Sequence, residues 1–283
     1  MSENTQMASL RNFNQTLMNE KTKEFIKSVL GKKASSYISN ITTLVNNTEG
    51  LQKCDPLTII NAGLKATVLD LSIEPSLGRA YVIPYGNVAQ FQIGYKGLIE
   101  LCTRSGYYEK INAREVRKGE FLGEDFKTGD IDFQFMPDRE KLPVIGYMAY
   151  FKLKNGVEKT FYMTKEQCEA HGKQYSKTYN NPSGCWKLDF DGMALKTVLK
   201  LMLGRWGILS TEIQSAITND QAVFKDFDSK PEYLDGGKEP SEKDIKFAQE
   251  MAARFPEKFG GIKVDNIPPT NFEDVPNTEN TKK

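Results

Sequence analysis

Asn155-Gly156, set between the β-prone runs 144–154 and 157–163, is the strongest constraint on how this chain folds. The dipeptide accepts the positive φ angles of a two-residue turn, so the flanking runs must return as an antiparallel hairpin. RAYVIP and VAQFQI flank the turn Pro84-Tyr85-Gly86-Asn87 and read as a second hairpin. Segments 110–118 and 131–136 are also strand-like. Helical spacing covers 9–30 and 34–47, with Gly31 as a stop between them. Asp55-Pro56 supplies an N-cap and a proline at the first helical position, which opens a helix to about 71. A helix over 95–105 ends at Gly106. Thr164 with Gln167 forms a capping box for a helix to about 170. GKQYSKTYNNPSG (172–184) lacks periodicity and reads as an exposed loop, and a long helix over about 185–205 follows it. The expected fold class is α+β: a compact antiparallel β-sheet packed with helices.

The 283 residues suit one body with an appendage, divided as 1–33, 34–225 and 226–283. Residues 1–8 and the proline-rich end beyond 266 are expected to be unstructured, and 241–259 to form a small helical element in a flexible tail. Net charge is −4 over 226–283 and +5 over 1–225, a basic body with an acidic tail. No apolar run reaches the roughly 20 residues that span a bilayer. The N-terminus lacks a basic-then-apolar signal pattern, so the expected location is cytoplasmic. Cys54, Cys102, Cys168 and Cys185 are widely spaced and read as free thiols. The single histidine, His171, reads as a surface or turn residue and argues against histidine-based catalysis or a histidine-rich metal site. No cofactor is expected.

Residues 91–118, FQIGYKGLIELCTRSGYYEKINAREVRK, combine aromatic rings, glycines and six basic residues without a nucleophile–base pair. Cations can neutralise phosphates while flat rings meet bases, so the segment suits a polyanion. In the closing helix, Asp189, Lys196 and Lys200 share one narrow face and apolar residues cover most of the rest. This fits either two lysines fixed against phosphates or a solvated stripe paired through Asp189. Met193-Ala194-Leu195-Lys196-Thr197 is not a phosphate loop, because Leu195 stands where a glycine must precede the lysine. The acidic pairs are no better as a metal grip. Asp189 and Asp191 point apart on a helix, and Glu124-Asp125 sits in a turn. A metal-dependent nuclease and a passive nucleic-acid coat protein remain the alternatives.

QFQIGYKGLIELCTRSG (90–106) and CWKLDFDGMALKTVLKLM (185–202) resemble the RecT family of phage-type single-strand annealing proteins, distant relatives of the lambda Beta protein. The resemblance spans most of 40–210. It implies an annealing-protein core and an ATP-independent, non-enzymatic recombinase encoded by a phage or prophage. Such a protein forms homo-oligomers, rings or helical filaments, and 1–33 would serve oligomerisation. It binds single-stranded DNA and the annealed duplex. The tail would meet a phage 5′→3′ exonuclease or the host single-strand-binding protein. Carried onto this sequence, the leading phosphate contacts are Lys96, Arg104, Lys196 and Lys200, followed by Arg114, Arg117 and Lys118. Lys173, Lys177, Lys187 and Arg205 join them from charge and position. Gln92, Tyr95, Tyr175 and Tyr179 are candidates for bases or sugars, while Phe91 and Trp186 read as core.

Overall fold

The computed structural model describes residues 3–234, so the element expected over 241–259 and the terminal segment lie outside the described residues. The chain opens with α1 (Glu3–Met18), α2 (Glu20–Leu30), α3 (Ala34–Asn46) and α4 (Pro56–Val68). The single helix expected over 9–30 is broken at Asn19, whose side chain accepts the Lys21 N–H and caps α2. Helix α1 starts at Glu3, although residues 1–8 are polar. Phe13 and Leu17 anchor its later turns in the core, and each residue added upstream then gains a hydrogen bond. Gly31 ends α2 at φ +53°. Asp55 caps α4 by accepting the Leu57 N–H, ahead of Pro56. Helix α4 is buried along most of its length. A Cβ on Gly63 would stand 2.9 Å from Ile41 Cδ1 and 3.1 Å from the Tyr37 ring, so any larger residue would push these α3 side chains aside. The Tyr37 hydroxyl donates to Ile60 O at 2.6 Å across the same contact.

Strands β1 (Ala80–Tyr85) and β2 (Val88–Ile93) form the expected antiparallel hairpin, with Ala80 opposite Ile93 and Tyr85 opposite Val88. Alternation sends Ala80, Val82, Ala89, Phe91 and Ile93 into the core. Tyr81, Ile83, Tyr85, Gln90 and Gln92 share the opposite face. Helix α5 (Tyr95–Arg104) leads into β3 (Tyr108–Arg117), β4 (Phe121–Glu124), β5 (Ile131–Phe133), β6 (Val144–Leu153) and β7 (Glu158–Thr164). The sheet order is β3-β6-β7, antiparallel throughout, with Gly156 at φ +89° in the turn between β6 and β7. The strand expected at 131–136 stops at Phe133 and pairs with β4, which the sequence does not announce. Phe121 stacks on Tyr162 at 4.9 Å and seats that small hairpin against β7.

Helix α6 (Lys165–Tyr175) carries the complete Thr164–Gln167 capping box and continues past 170. The closing helix divides into α7 (Cys185–Leu188) and α8 (Phe190–Trp206). Asp189 interrupts it at φ −147°, ψ 75°, where its carboxylate accepts the Gly192 N–H and restarts the helix. Helix α8 packs on β3, β6 and β7 and carries much of the core. Helix α9 (Thr211–Thr218), β8 (Ala222–Val223) and β9 (Glu232–Tyr233) complete the described chain. Residues 226–234, expected to begin the flexible tail, fold back on the body. Phe227 stacks on Phe25 at 4.2 Å, and the Tyr233 hydroxyl donates to Thr218 O. Among the described residues, no helix is long and apolar enough to cross a membrane.

Candidate nucleic-acid interface

The Tyr81–Gln92 face of the hairpin lies against loop 176–184, α7 and the first turns of α8, and two adjoining recesses open there. The larger, about 320 Å³, is lined by Gln90, Gln92, Ser176, Thr178, Asn181, Ser183, Trp186 and Gln221 among others. The smaller, about 160 Å³, is lined by Tyr81, Tyr95, Leu188, Asp189 and Lys196 among others. Ile83, Gln92, Cys185 and Met193 border both, so they form one cleft. Burial first, and the Asp189 carboxylate second, push the Tyr81 and Tyr95 phenols above their ordinary range. Both rings therefore stay neutral hydrogen-bonding groups at physiological pH.

The loop is packed from beneath. A Cβ on Gly172 would lie 2.7 Å from the Tyr179 ring, and one on Gly184 would lie 2.3 Å from Thr178 O. Tyr179 packs on Trp186 at 5.8 Å between ring centres, and Trp186 packs on Phe190 at 5.4 Å. Tyr179 is thus buried, which corrects the expectation that it meets bases; glycine at 172 draws its ring inward. Above it stand Lys187 and Lys173, 5.1 and 5.8 Å from the ring centre, geometry for cation–π attraction. Trp186 and Phe91 are core residues, as expected.

Lys196 and Lys200 have a partner that the helical wheel does not reveal. Asp220, on the turn between α9 and β8, accepts from Lys196 Nζ at 2.7 Å and Lys200 Nζ at 2.9 Å. Its Oδ1 also accepts the Ile93 N–H at 3.1 Å. Lys196 is only 5% exposed, so the expectation that it stands open to phosphate is corrected: its ammonium is consumed by a buried ion pair. Lys200 is one-third exposed and keeps a solvent-facing side. Burial raises and the two lysines lower the Asp220 carboxyl; the lysines prevail and hold it below its ordinary range.

Other expected contacts separate into free and committed groups. Lys96, Arg114 and Lys118 are exposed and form no ion pair among the described residues. Lys96 follows Tyr95, which lines the cleft, on the first turn of α5. Arg104 donates to Leu69 O at 2.5 Å and pairs with Asp70, just past the end of α4. Arg117 donates to Leu142 O at 2.8 Å and pairs with Glu115. Arg117, 16% exposed, is structural, which corrects its placement among open contacts, whereas Arg104, 37% exposed, keeps a solvent-facing side as Lys200 does. Gln92 is buried and lines the cleft wall. Lys177 donates to Leu234 O, and Arg205 lies 5.4 Å from the Phe161 ring centre. Tyr175 packs on His171 at 4.5 Å.

His171 is not on a turn. It sits within α6, where burial first and Lys200 second push its imidazole down to about 4. The native state then holds fewer protons than the unfolded chain between about pH 6.5 and 4, so acid should destabilise it across that window. Denaturant titrations at pH 7 and pH 5 should give a lower midpoint at pH 5, and His171→Gln should reduce the difference.

Reasoning from sequence missed Tyr81, Tyr85, Gln90 and Gln221. The alternation within the hairpin contains the signal for the first three. Nothing near Gln221 announces its position. Among the described residues, no group of three or more His, Cys, Asp or Glu is placed to hold a metal ion.

The sequence model of the RecT family matches residues 35–235, the stretch that contains the cleft, α8 and the Asp220 tie. The chain is 42% identical to an uncharacterised Bacillus subtilis protein, YqaK, over 84% of this chain and 82% of that one. It is 31% identical to Protein RecT of Escherichia coli over 66% of this chain and 71% of that one. The chain therefore belongs to the RecT family, and this membership implies single-stranded DNA binding and annealing in recombination.

Proposed function

We propose that this protein pairs complementary DNA strands without nucleotide hydrolysis, as a row of protomers that hold the phosphate backbone and leave base edges accessible. The cleft carries this reading. Its walls are rings and carboxamides, and Lys96 and Lys187 stand exposed on the elements that frame it. Annealing needs no covalent step. Complementary strands repel and each collapses on itself, while cations that neutralise phosphates release counterions and lower both barriers. Contacts to the backbone specify little sequence, which suits a protein that must accept any strand. Duplex stacking then supplies the driving force, so ATP is unnecessary.

In this reading residues 1–33 join neighbouring protomers, and 226–283 meet a 5′→3′ exonuclease or a single-strand-binding protein in the host cytoplasm. The deciding experiment mixes complementary dye-labelled oligonucleotides with the protein, without ATP, beside a non-complementary control. Faster pairing with intact DNA supports the reading. Binding without acceleration leaves a passive coat, and shortened DNA in magnesium points to a nuclease.

Lys96→Ala and Lys187→Ala should each weaken binding about equally for all sequences and reduce the salt slope by about 1. Fluorescence anisotropy across a salt series checks this, and unchanged slopes in both variants would remove these lysines from the interface.

A further inference from the structure

We infer that the larger recess of the cleft is a subsite for a single unpaired nucleobase per protomer, the other bases of the strand keeping their edges accessible. This deepens, and rests on, the single-strand reading above. Three observations converge on the recess. The first is its chemistry: its lining includes Gln90, Gln92, Gln221, Thr178 and Ser183 beside the Trp186 ring, and contains no lysine or arginine. A phosphate would find no counter-charge there. A flat heteroaromatic base with donors and acceptors on its edge matches carboxamides, hydroxyls and a ring.

The second observation is an unfinished hydrogen bond. Gln90 is 2% exposed, yet its Oε1 has no hydrogen-bond partner among the described residues. Buried polar atoms are nearly always satisfied, so an orphan on a residue that lines the recess points to a ligand that a small side-chain turn would let it meet. Gln90 reaches that wall because β2 alternates and its neighbours Ala89 and Phe91 face the core.

The third is backbone strain at the same place. Gln221 adopts φ +69°, the left-handed region that favours glycine. Its N–H donates to Phe91 O at 2.7 Å, and the preceding Asp220 is tied to α8. These two anchors hold the residue in place, and it lines the recess. Strained backbone that is held in this way concentrates at ligand sites. Each carboxamide offers both a donor and an acceptor, so the subsite should require a base without selecting one.

The test compares full-length protein binding to oligothymidylate with binding to an equally long strand that is abasic throughout, across a salt series. The expected result is a preference of about tenfold for the base-bearing strand, equivalent to about 1.4 kcal/mol. Gln90→Met and Gln221→Gly should each shrink that preference, with abasic binding and salt slope unchanged. Gln221→Gly suits the left-handed backbone and should fold; it decides the matter if Gln90→Met does not. Equal wild-type affinity for both strands would overturn the subsite while leaving the phosphate-binding reading intact. A full preference retained by the folded variants would also overturn it. If the wild type binds neither strand, the parent reading fails and the subsite fails with it.

Discussion

Asp220→Ala should cost about 3–5 kcal/mol of folding stability, the expected loss when one partner leaves a buried ion pair. The side chain is 1% exposed and joins three parts of the fold: Lys196 and Lys200 on α8, the Ile93 N–H at the end of β2, and its own turn after α9. Removing it leaves the Lys196 ammonium buried without a counter-charge and the Ile93 N–H without its acceptor. Lys200 suffers less, because its exposed side can turn to water. Chemical denaturation would measure the loss. Adding Lys196→Met to Asp220→Ala should recover part of it, because the uncompensated charge disappears while most of the side-chain volume remains. Absence of any recovery would mean that the lost Ile93 hydrogen bond, not the stranded charge, dominates. Acid acts on the same tie. Because the native carboxyl titrates below its ordinary range, its stabilisation is complete above the unfolded value and lost as pH falls through the native one.

Trp186→Ala should cost a similar amount, about 3–5 kcal/mol, through the cavity left by a buried indole. The indole is 5% exposed and packs between Tyr179 and Phe190. Phe190 continues the chain of rings to Tyr147, whose hydroxyl donates to Asp191. Loss of the indole removes the support beneath loop 176–184 and one wall of the larger recess together. Annealing should therefore fall even at temperatures where the variant remains folded. Trp186→Phe keeps a ring in the stack and should cost much less. Melting curves paired with annealing rates separate the effects: a folded Trp186→Ala protein with wild-type annealing would show that the cleft works without this wall.

Particular residues mark how far the sequence could be read. The Asn155-Gly156 turn, the Asp55-Pro56 cap and the Thr164–Gln167 capping box were legible because each signal is complete within a few residues. The hairpin face bearing Tyr81, Gln90 and Gln92 was legible in principle from strand alternation. The break at Asp189 was harder to see. An aspartate flanked by apolar residues fits a continuous helix as well as a cap. Strand β4 was missed because glycine and acidic residues weaken its alternation until β5 pairs with it.

The sequence by itself determined most of the helices, the two tight hairpins and the family, because turns, caps and hydrophobic periods are local and the two motifs are contiguous. Tertiary structure alone decided which cations remain open to a ligand. Lys196 looked like a phosphate contact until Asp220, 24 residues away, proved to be its partner, and that same carboxylate reaches a backbone N–H 127 residues distant. Arg117 was likewise committed to a carbonyl 25 residues away. The physical reason is that a charge's availability depends on burial and on the nearest opposite charge in space, and neither is encoded near the residue that carries it.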